Sequence, residues 1–217
     1  MLTSSDPTIL RARAWDHGGR PMASAALART SLGGIPAITA NGLVFVAEQD
    51  APEAREAAEA AGMTDAGTAP LMSLELSDEL ADGPCAGVER AVDPATVEEV
   101  AELIRSAFGI AGATGLRPDL AEVPGADAWL LREHDTGRAV AALVATADPD
   151  LVGVWSMATV PARQREGHGT CLLRAVLGNY ALEGATTACL VSTPAGESLY
   201  SSIGFETVEQ LQVWKPR

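Results

Sequence analysis

The chain has 217 residues, 47% hydrophobic and only 4% aromatic, with a formal net charge of −14. That length allows one large or two small domains with a core built of Ala, Val and Leu. Residues 1–92 carry 6 basic and 13 acidic groups and residues 93–217 carry 9 and 16, so no basic half or Lys/Arg run exists to bind nucleic acid.

In chain order, residues 10–15 and 22–29 read as short helices, broken by Gly18-Gly19 and Gly33-Gly34. Residues 43–47 are strand-like. Residues 52–61 form a strong helix pattern, with Pro52 in the first turn and Gly62 as the stop. Residues 71–76 alternate like a strand, and 77–92 read as a linker that supplies a strand around 85–92. Asp93-Pro94 then opens a helix to Phe108, whose core face is Val97, Val100, Leu103 and Ile104. After a Gly/Pro-rich stretch at 109–126, residues 128–132 and 139–146 pair as a hairpin. A strand at 151–160, a helix at 167–182, a strand at 187–192, a short helix near 195–202 and one or two strands over 205–214 complete the order.

The most specific stretch follows the 151–160 strand. Gln164-Arg165-Glu166-Gly167-His168-Gly169 is a glycine turn that runs directly into a helix with Leu172, Leu173, Val176 and Leu177 on one face. Such a turn offers unbonded backbone N–H groups and the positive end of the helix dipole, a ready place for phosphate. It lacks the Gly-Lys-Ser/Thr of a Walker loop, because Thr170-Cys171 follows Gly169. It lacks the third glycine of a dinucleotide fingerprint, because Leu172 stands there. A second motif, Leu199-Tyr200-x-x-x-Gly204-Phe205, lies one helix and one strand downstream.

Together these motifs resemble the GCN5-related N-acetyltransferase family, over roughly residues 92–217. The resemblance implies an α/β (α+β) acyl-CoA N-acyltransferase fold, with a mixed, mostly antiparallel central sheet flanked by helices. The acetyltransferase domain is expected at 85–217, with an accessory or degenerate region at 1–84. Shifted by 142 residues, Gly62-Met63 falls on Gly204-Phe205 and Ala58 falls on Tyr200. Residues 40–76 thus look like a silent copy of the C-terminal half; the plainer reading is that any helix ending in Gly before a strand aligns this well.

The resemblance also implies a reaction: an acetyl group moves from acetyl-CoA, a co-substrate, to a primary amine of a small molecule or protein. The amine attacks directly and no metal is used. Ala158, Thr159 and Val160 match the strand end that holds the pantetheine arm and polarises the thioester. Arg165, Glu166, Gly167, His168, Gly169 and Thr170 match the pyrophosphate loop. His168 either contacts phosphate as an imidazolium or simply fills the turn. Tyr200 matches the tyrosine that protonates the leaving thiolate, its alternative being a core tyrosine. Thr193 stands where many members place a pantetheine-binding asparagine.

No general base is evident. Ala188 occupies the position of a common glutamate, and Trp155, Ser156 and Met157 offer no acid; Glu122, Asp127, Glu133 and His134 are the remaining candidates. Trp155 and Trp214 either line an amine pocket or pack in the core. The acid excess favours a cationic substrate or serves solubility alone.

No apolar run reaches the roughly 18 residues of a membrane span. Three cysteines, Cys85, Cys171 and Cys189, and three histidines lack disulfide or zinc spacing, which predicts reduced thiols in a cytoplasmic protein. A homodimer is left open. The competing function is an acyl-CoA-binding sensor or interaction module of the same fold without turnover.

Overall fold

The computed structural model describes residues 16–17, 20–21, 28–32, 35–40, 43–81, 85–109, 120, 125–148 and 150–217. Its elements are β1 (Asp16–His17), β2 (Arg20–Pro21), β3 (Ala28–Leu32), β4 (Ile35–Ala40), β5 (Leu43–Ala47), α1 (Ala51–Ala60), β6 (Met63–Glu75), β7 (Val88–Arg90) and α2 (Pro94–Phe108). There follow β8 (Ala126–Arg132), β9 (Ala139–Asp148), β10 (Leu151–Thr159), α3 (His168–Leu182), β11 (Thr187–Val191), α4 (Glu197–Ile203) and β12 (Glu206–Pro216). Two compact units divide the chain, Glu75–Ala188 and Met1–Leu74 with Cys189–Arg217.

In the Glu75–Ala188 unit the strands run β10-β9-β8-β7, with antiparallel registers throughout. Residues Val140 to Ala145 of β9 are all buried, three of them alanines. The strand is covered on both faces and packs against α2 and α3. Small side chains let the helices approach closely, which explains a substantial core with so few aromatics. The expected face of α2, Val97, Val100, Leu103 and Ile104, is buried. The Asp93 carboxylate accepts hydrogen bonds from the Ala95 and Thr96 amides at 2.9 and 3.0 Å, and Gly109 ends the helix in the left-handed region. Bonds from Thr96 hold the Asp93 carboxyl below its ordinary range.

In the other unit the order is β3-β4-β5-β12-β6-β11. Here β5, α1 and β6 repeat the element order of β11, α4 and β12. The two sets interleave: β12 pairs with both β5 and β6, while β6 also neighbours β11. Strand β6 starts eight residues before the expected 71, in a stretch too polar to alternate. Asp65 and Gln212 stitch that stretch to β12, the Gln212 amide donating to the Asp65 carboxylate at 2.7 Å.

Two expectations need correction. The expected helix at 22–29 does not include its last two residues: Ala28 and Arg29 belong to β3, paired with Thr39 and Ile38. The rest of that span and the expected helix at 10–15 lie outside the described residues. The cysteines are not all reduced. Cys85 and Cys171 form a disulfide across a sequence separation of 86 with Cα atoms 5.5 Å apart, a proximity made by the fold and invisible in spacing. The argument from cysteine count to a reducing compartment therefore lapses; Cys189 is buried and outside the bond. Of the two readings of Trp155 and Trp214, both residues fit packing in the core. Trp155 is buried and donates its indole N–H to Thr146 at 2.8 Å, while Trp214 is 1% exposed beneath Arg55. Among the described residues, no helix is long and apolar enough to cross a membrane.

Candidate acyl-CoA site

Strand β10 does not run straight into the glycine turn. Its pairing with β9 shifts between Trp155 and Ala158, and Ser156 takes a φ of 50°. This bulge leaves Ser156 and Met157 half-buried instead of alternating in and out. Pairing then resumes: Ala158 faces Ala142, Thr159 faces Ala141, and the Val160 amide donates to the Val140 carbonyl at 2.9 Å. The strand end is thus fixed while the residues just before it are displaced.

A single turn at Pro161–Arg163 follows, and the Gln164 side-chain amide donates back to the Thr159 carbonyl at 3.3 Å. Arg165 (φ 65°) and Gly167 (φ 86°) both occupy the left-handed region, which coils the backbone tightly before α3. The first bond closing the helix runs from the Cys171 amide to the Gly167 carbonyl at 2.9 Å. Among the described residues, the amides of Arg165, Glu166, Gly167, His168, Gly169 and Thr170 have no acceptor. Nothing lies within 4 Å of where a Gly167 Cβ would stand. The result is an open turn of unbonded donors at the positive end of a 15-residue helix. Its chemistry suits a pyrophosphate.

The side chains around the turn are partly committed. Arg163 is ion-paired with Glu133 and stands 3.3 Å from Glu166. Glu166 also lies 3.3 Å from His168, which draws its charge towards those neighbours. His168 is thus engaged with Glu166. Arg165 is exposed.

The candidate bases fare poorly. Asp127 is 5% exposed, ion-paired with Arg90, and accepts a hydrogen bond from the Tyr180 hydroxyl. Burial, the Asp127 charge and that hydrogen bond raise the Tyr180 pKa well above a phenol's ordinary value. Glu133 accepts from the Thr136 hydroxyl at 2.8 Å, and this bond, with Arg163, His168 and Arg138, holds its carboxyl below the ordinary range. His134 is exposed in the hairpin turn. Glu122 lies outside the described residues. Among the described residues no group of three His, Cys, Asp or Glu is placed to hold a metal.

Thr193 and Tyr200 belong to the other unit, and each is described there. Thr193 opens a turn: its hydroxyl oxygen accepts from the Gly196 amide at 3.3 Å, and its carbonyl accepts from Gly196 and Glu197. Tyr200 lies on α4, which ends in a pair of backbone bonds. Phe205 N–H reaches the Tyr200 carbonyl and Gly204 N–H the Ser201 carbonyl, both at 3.1 Å, with Gly204 at φ 110°. Tyr-x-x-x-Gly-Phe is therefore the sequence of a glycine helix stop, and the Tyr200 and Phe205 rings meet edge-on at 5.8 Å as its apolar clasp. Burial pushes the Tyr200 phenol up to about 12. Among the described residues, its hydroxyl has no hydrogen-bond partner.

Two contributors escaped the sequence reading. Gly196 leaves room for the Tyr200 ring, since a Cβ there would stand 3.0 Å from its Cε2 atom. Its signal was a glycine four residues before the tyrosine, one helical turn away. Gln164 was read as part of a motif, whereas its side chain ties the turn to the strand end.

No family model and no curated protein matches the chain. Solved structures do. A GCN5-related N-acetyltransferase from Kribbella flavida is 24% identical with a TM-score of 0.56, over 78% of this chain and 66% of that one. A GCN5-related N-acetyltransferase from Sphaerobacter thermophilus is 16% identical with a TM-score of 0.55, over 78% of this chain and 57% of that one. A functionally unknown conserved protein from Staphylococcus epidermidis is 12% identical with a TM-score of 0.55, over 76% and 67% of the two chains. The chain thus spans less than two thirds of the length of the first two. Likeness at these identities establishes the fold: this is a mixed α/β chain with the GCN5-related N-acetyltransferase fold.

Proposed function

We propose that the protein is an N-acetyltransferase that moves an acetyl group from acetyl-CoA to a primary amine, with 85–217 as the acetyltransferase region and 40–76 as a silent copy of its C-terminal half. The observation that carries this reading is the 165–170 turn. Six backbone amides without acceptors, at a helix N-terminus, beside an exposed arginine, form a site for a pyrophosphate-bearing substrate. Acetyl-CoA would supply the activated acyl group. The chain's residues would hold it, with the ordered end of β10 at Ala158, Thr159 and Val160 serving the pantetheine arm and Thr193 adding a hydroxyl.

Tyr200 would donate the proton that the departing thiolate needs. Burial keeps its phenol protonated at neutral pH, and the thiolate must be basic enough to draw the proton from so weak an acid. Proton removal from the amine is the open half of the reaction. Asp127 and Glu133 already hold cations and hydrogen bonds, so an acceptor amine that arrives neutral, or a water relay, fits better than either carboxylate.

That same shortage favours a second reading, an acyl-CoA-binding module of this fold without turnover. The experiment that separates them is thiol release from acetyl-CoA against a panel of small amines and peptide N-termini, run beside Tyr200→Phe and Gly167→Glu. Turnover on one amine, lost in both variants, with acetyl-CoA binding lost only in Gly167→Glu, supports the enzyme. Tight binding of acetyl-CoA with no turnover on any amine supports the module. No binding by the wild type sinks both.

A further inference from the structure

The Cys85–Cys171 disulfide joins the first turn of α3 to the segment before β7. Cys171 is the residue whose amide closes the first helical bond, next to the unbonded amides of Gly169 and Thr170. Cys85 lies two residues before Gly87, which is firmly held. The Arg132 amide donates to the Gly87 carbonyl at 2.9 Å, and a side chain at Gly87 would overlap the Arg132 carbonyl. The bond therefore clamps the anion-binding turn to the β7–β8 edge of its own unit. Both cysteines are half-buried, so a thiolate can reach the bond, whereas Cys189 is sealed in the core.

We propose that Cys85–Cys171 is a thiol–disulfide exchange site whose state sets the affinity of the turn for acyl-CoA. The link to acyl-CoA rests on the function proposed above. The reductant is a dithiol. One of its thiolates attacks the Cys85 sulfur, forming a mixed disulfide and expelling Cys171 as a thiolate at the positive end of α3, which favours its departure. The second thiol of the reductant then displaces Cys85. The dithiol leaves as its own disulfide, and the protein takes up two electrons and two protons. Reduction unclamps the first turn of α3, and the amides must then be ordered on binding. Acetyl-CoA affinity falls by about tenfold, the scale of ordering a few rotamer-rich groups.

The test uses the full chain, isolated without reductant. Mass analysis of non-reduced peptides should show Cys85 linked to Cys171. The protein is then reduced with dithiothreitol, desalted under anaerobic conditions, and compared with the oxidised form. Acetyl-CoA affinity is read by calorimetry, and amide exchange at 171–174, the first hydrogen-bonded amides of α3, by hydrogen–deuterium mass spectrometry. The expected result is affinity about tenfold weaker and exchange about tenfold faster in the reduced form. Cys85→Ser should match the reduced protein and ignore dithiothreitol. Equal affinity and equal exchange in the two forms overturn the proposal, as does the absence of a linked peptide. No acetyl-CoA binding in either form, with exchange still responding, would sink the acyl-CoA reading and keep the exchange site.

Discussion

Two segments, 43–75 and 187–216, run through the same elements and end in different chemistry. Each passes from a strand through a helix to a glycine at positive φ (Gly62 at 74°, Gly204 at 110°) and then a long strand. In the second, the last helical turn carries Tyr200, half-buried against Phe205. In the first, the corresponding positions are Ala58 at 0% exposure and Met63 at 8%, both packed in a cluster with Trp214. The glycine stop is thus a backbone device indifferent to function. What separates the copies is whether the spot it creates holds a half-buried phenol or is packed shut by apolar side chains.

The comparison can be broken at either end. Trp214→Ala removes, from β12, the largest side chain packed on the closed copy and should cost about 3–5 kcal/mol in denaturant unfolding. Acetyl-CoA binding by the folded fraction should be little changed, since Trp214 is neither in the 165–170 turn nor among the residues proposed to hold the substrate. Tyr200→Phe is the reverse case, with little change in the unfolding midpoint but at least a ~100-fold fall in turnover, the size of a lost acid catalyst. Ala58→Tyr would restore a phenol to the closed copy. No space exists for it, and overpacking should cost about 1–3 kcal/mol without adding activity. If Ala58→Tyr is neutral, the first copy is less closed than its burial indicates.

A smaller effect sharpens the contrast with the anion-binding turn, which has no counterpart in 43–75. Arg165 holds a left-handed backbone without being glycine. Arg165→Gly relieves that strain and should stabilise the fold by about 1 kcal/mol, while weakening acetyl-CoA binding through the lost charge. Thermal unfolding and calorimetry read the two effects separately. Greater stability with unchanged affinity would show that the amides act alone.

The devices legible in the sequence were local ones. The Asp93 cap, the Gly167 turn and the Tyr200–Phe205 helix stop are each written within about six residues, and a short window suffices to read them. What stayed hidden depends on residues brought together from afar. Arg90 and Tyr180 meet Asp127 across 37 and 53 positions, and they turn a candidate base into the centre of a buried network. The Cys85–Cys171 bond spans 86. Strands β3 and β4 were missed for another reason. Ala28–Leu32 and Ile35–Ala40 are short, rich in Ala, Ser and Thr, and lack the alternation that marks a half-buried strand. The bulge at Ser156 likewise appears only in the register of β10 against β9.

The most delicate difference between the two copies is one of proton linkage. Tyr200 is the half-buried phenol; Ala58 has no proton to lose. Burial raises the Tyr200 phenol from its ordinary value of 10 to about 12. Below pH 10 the phenol is protonated in both folded and unfolded chains, and its contribution to stability is complete. Between 10 and 12 the unfolded chain loses the proton while the folded one keeps it, so stability must fall as pH rises. Tyr200→Phe lacks this term. Between pH 9 and pH 11 the denaturant midpoint should therefore fall further in the wild type than in the variant. Over the same range, wild-type turnover should show no alkaline loss assignable to Tyr200 until pH approaches 12. An equal loss of stability in both proteins would mean the hydroxyl is solvated in the folded chain. Tyr200 would then be an ordinary surface phenol on a structural helix stop, and the two copies would differ in packing alone.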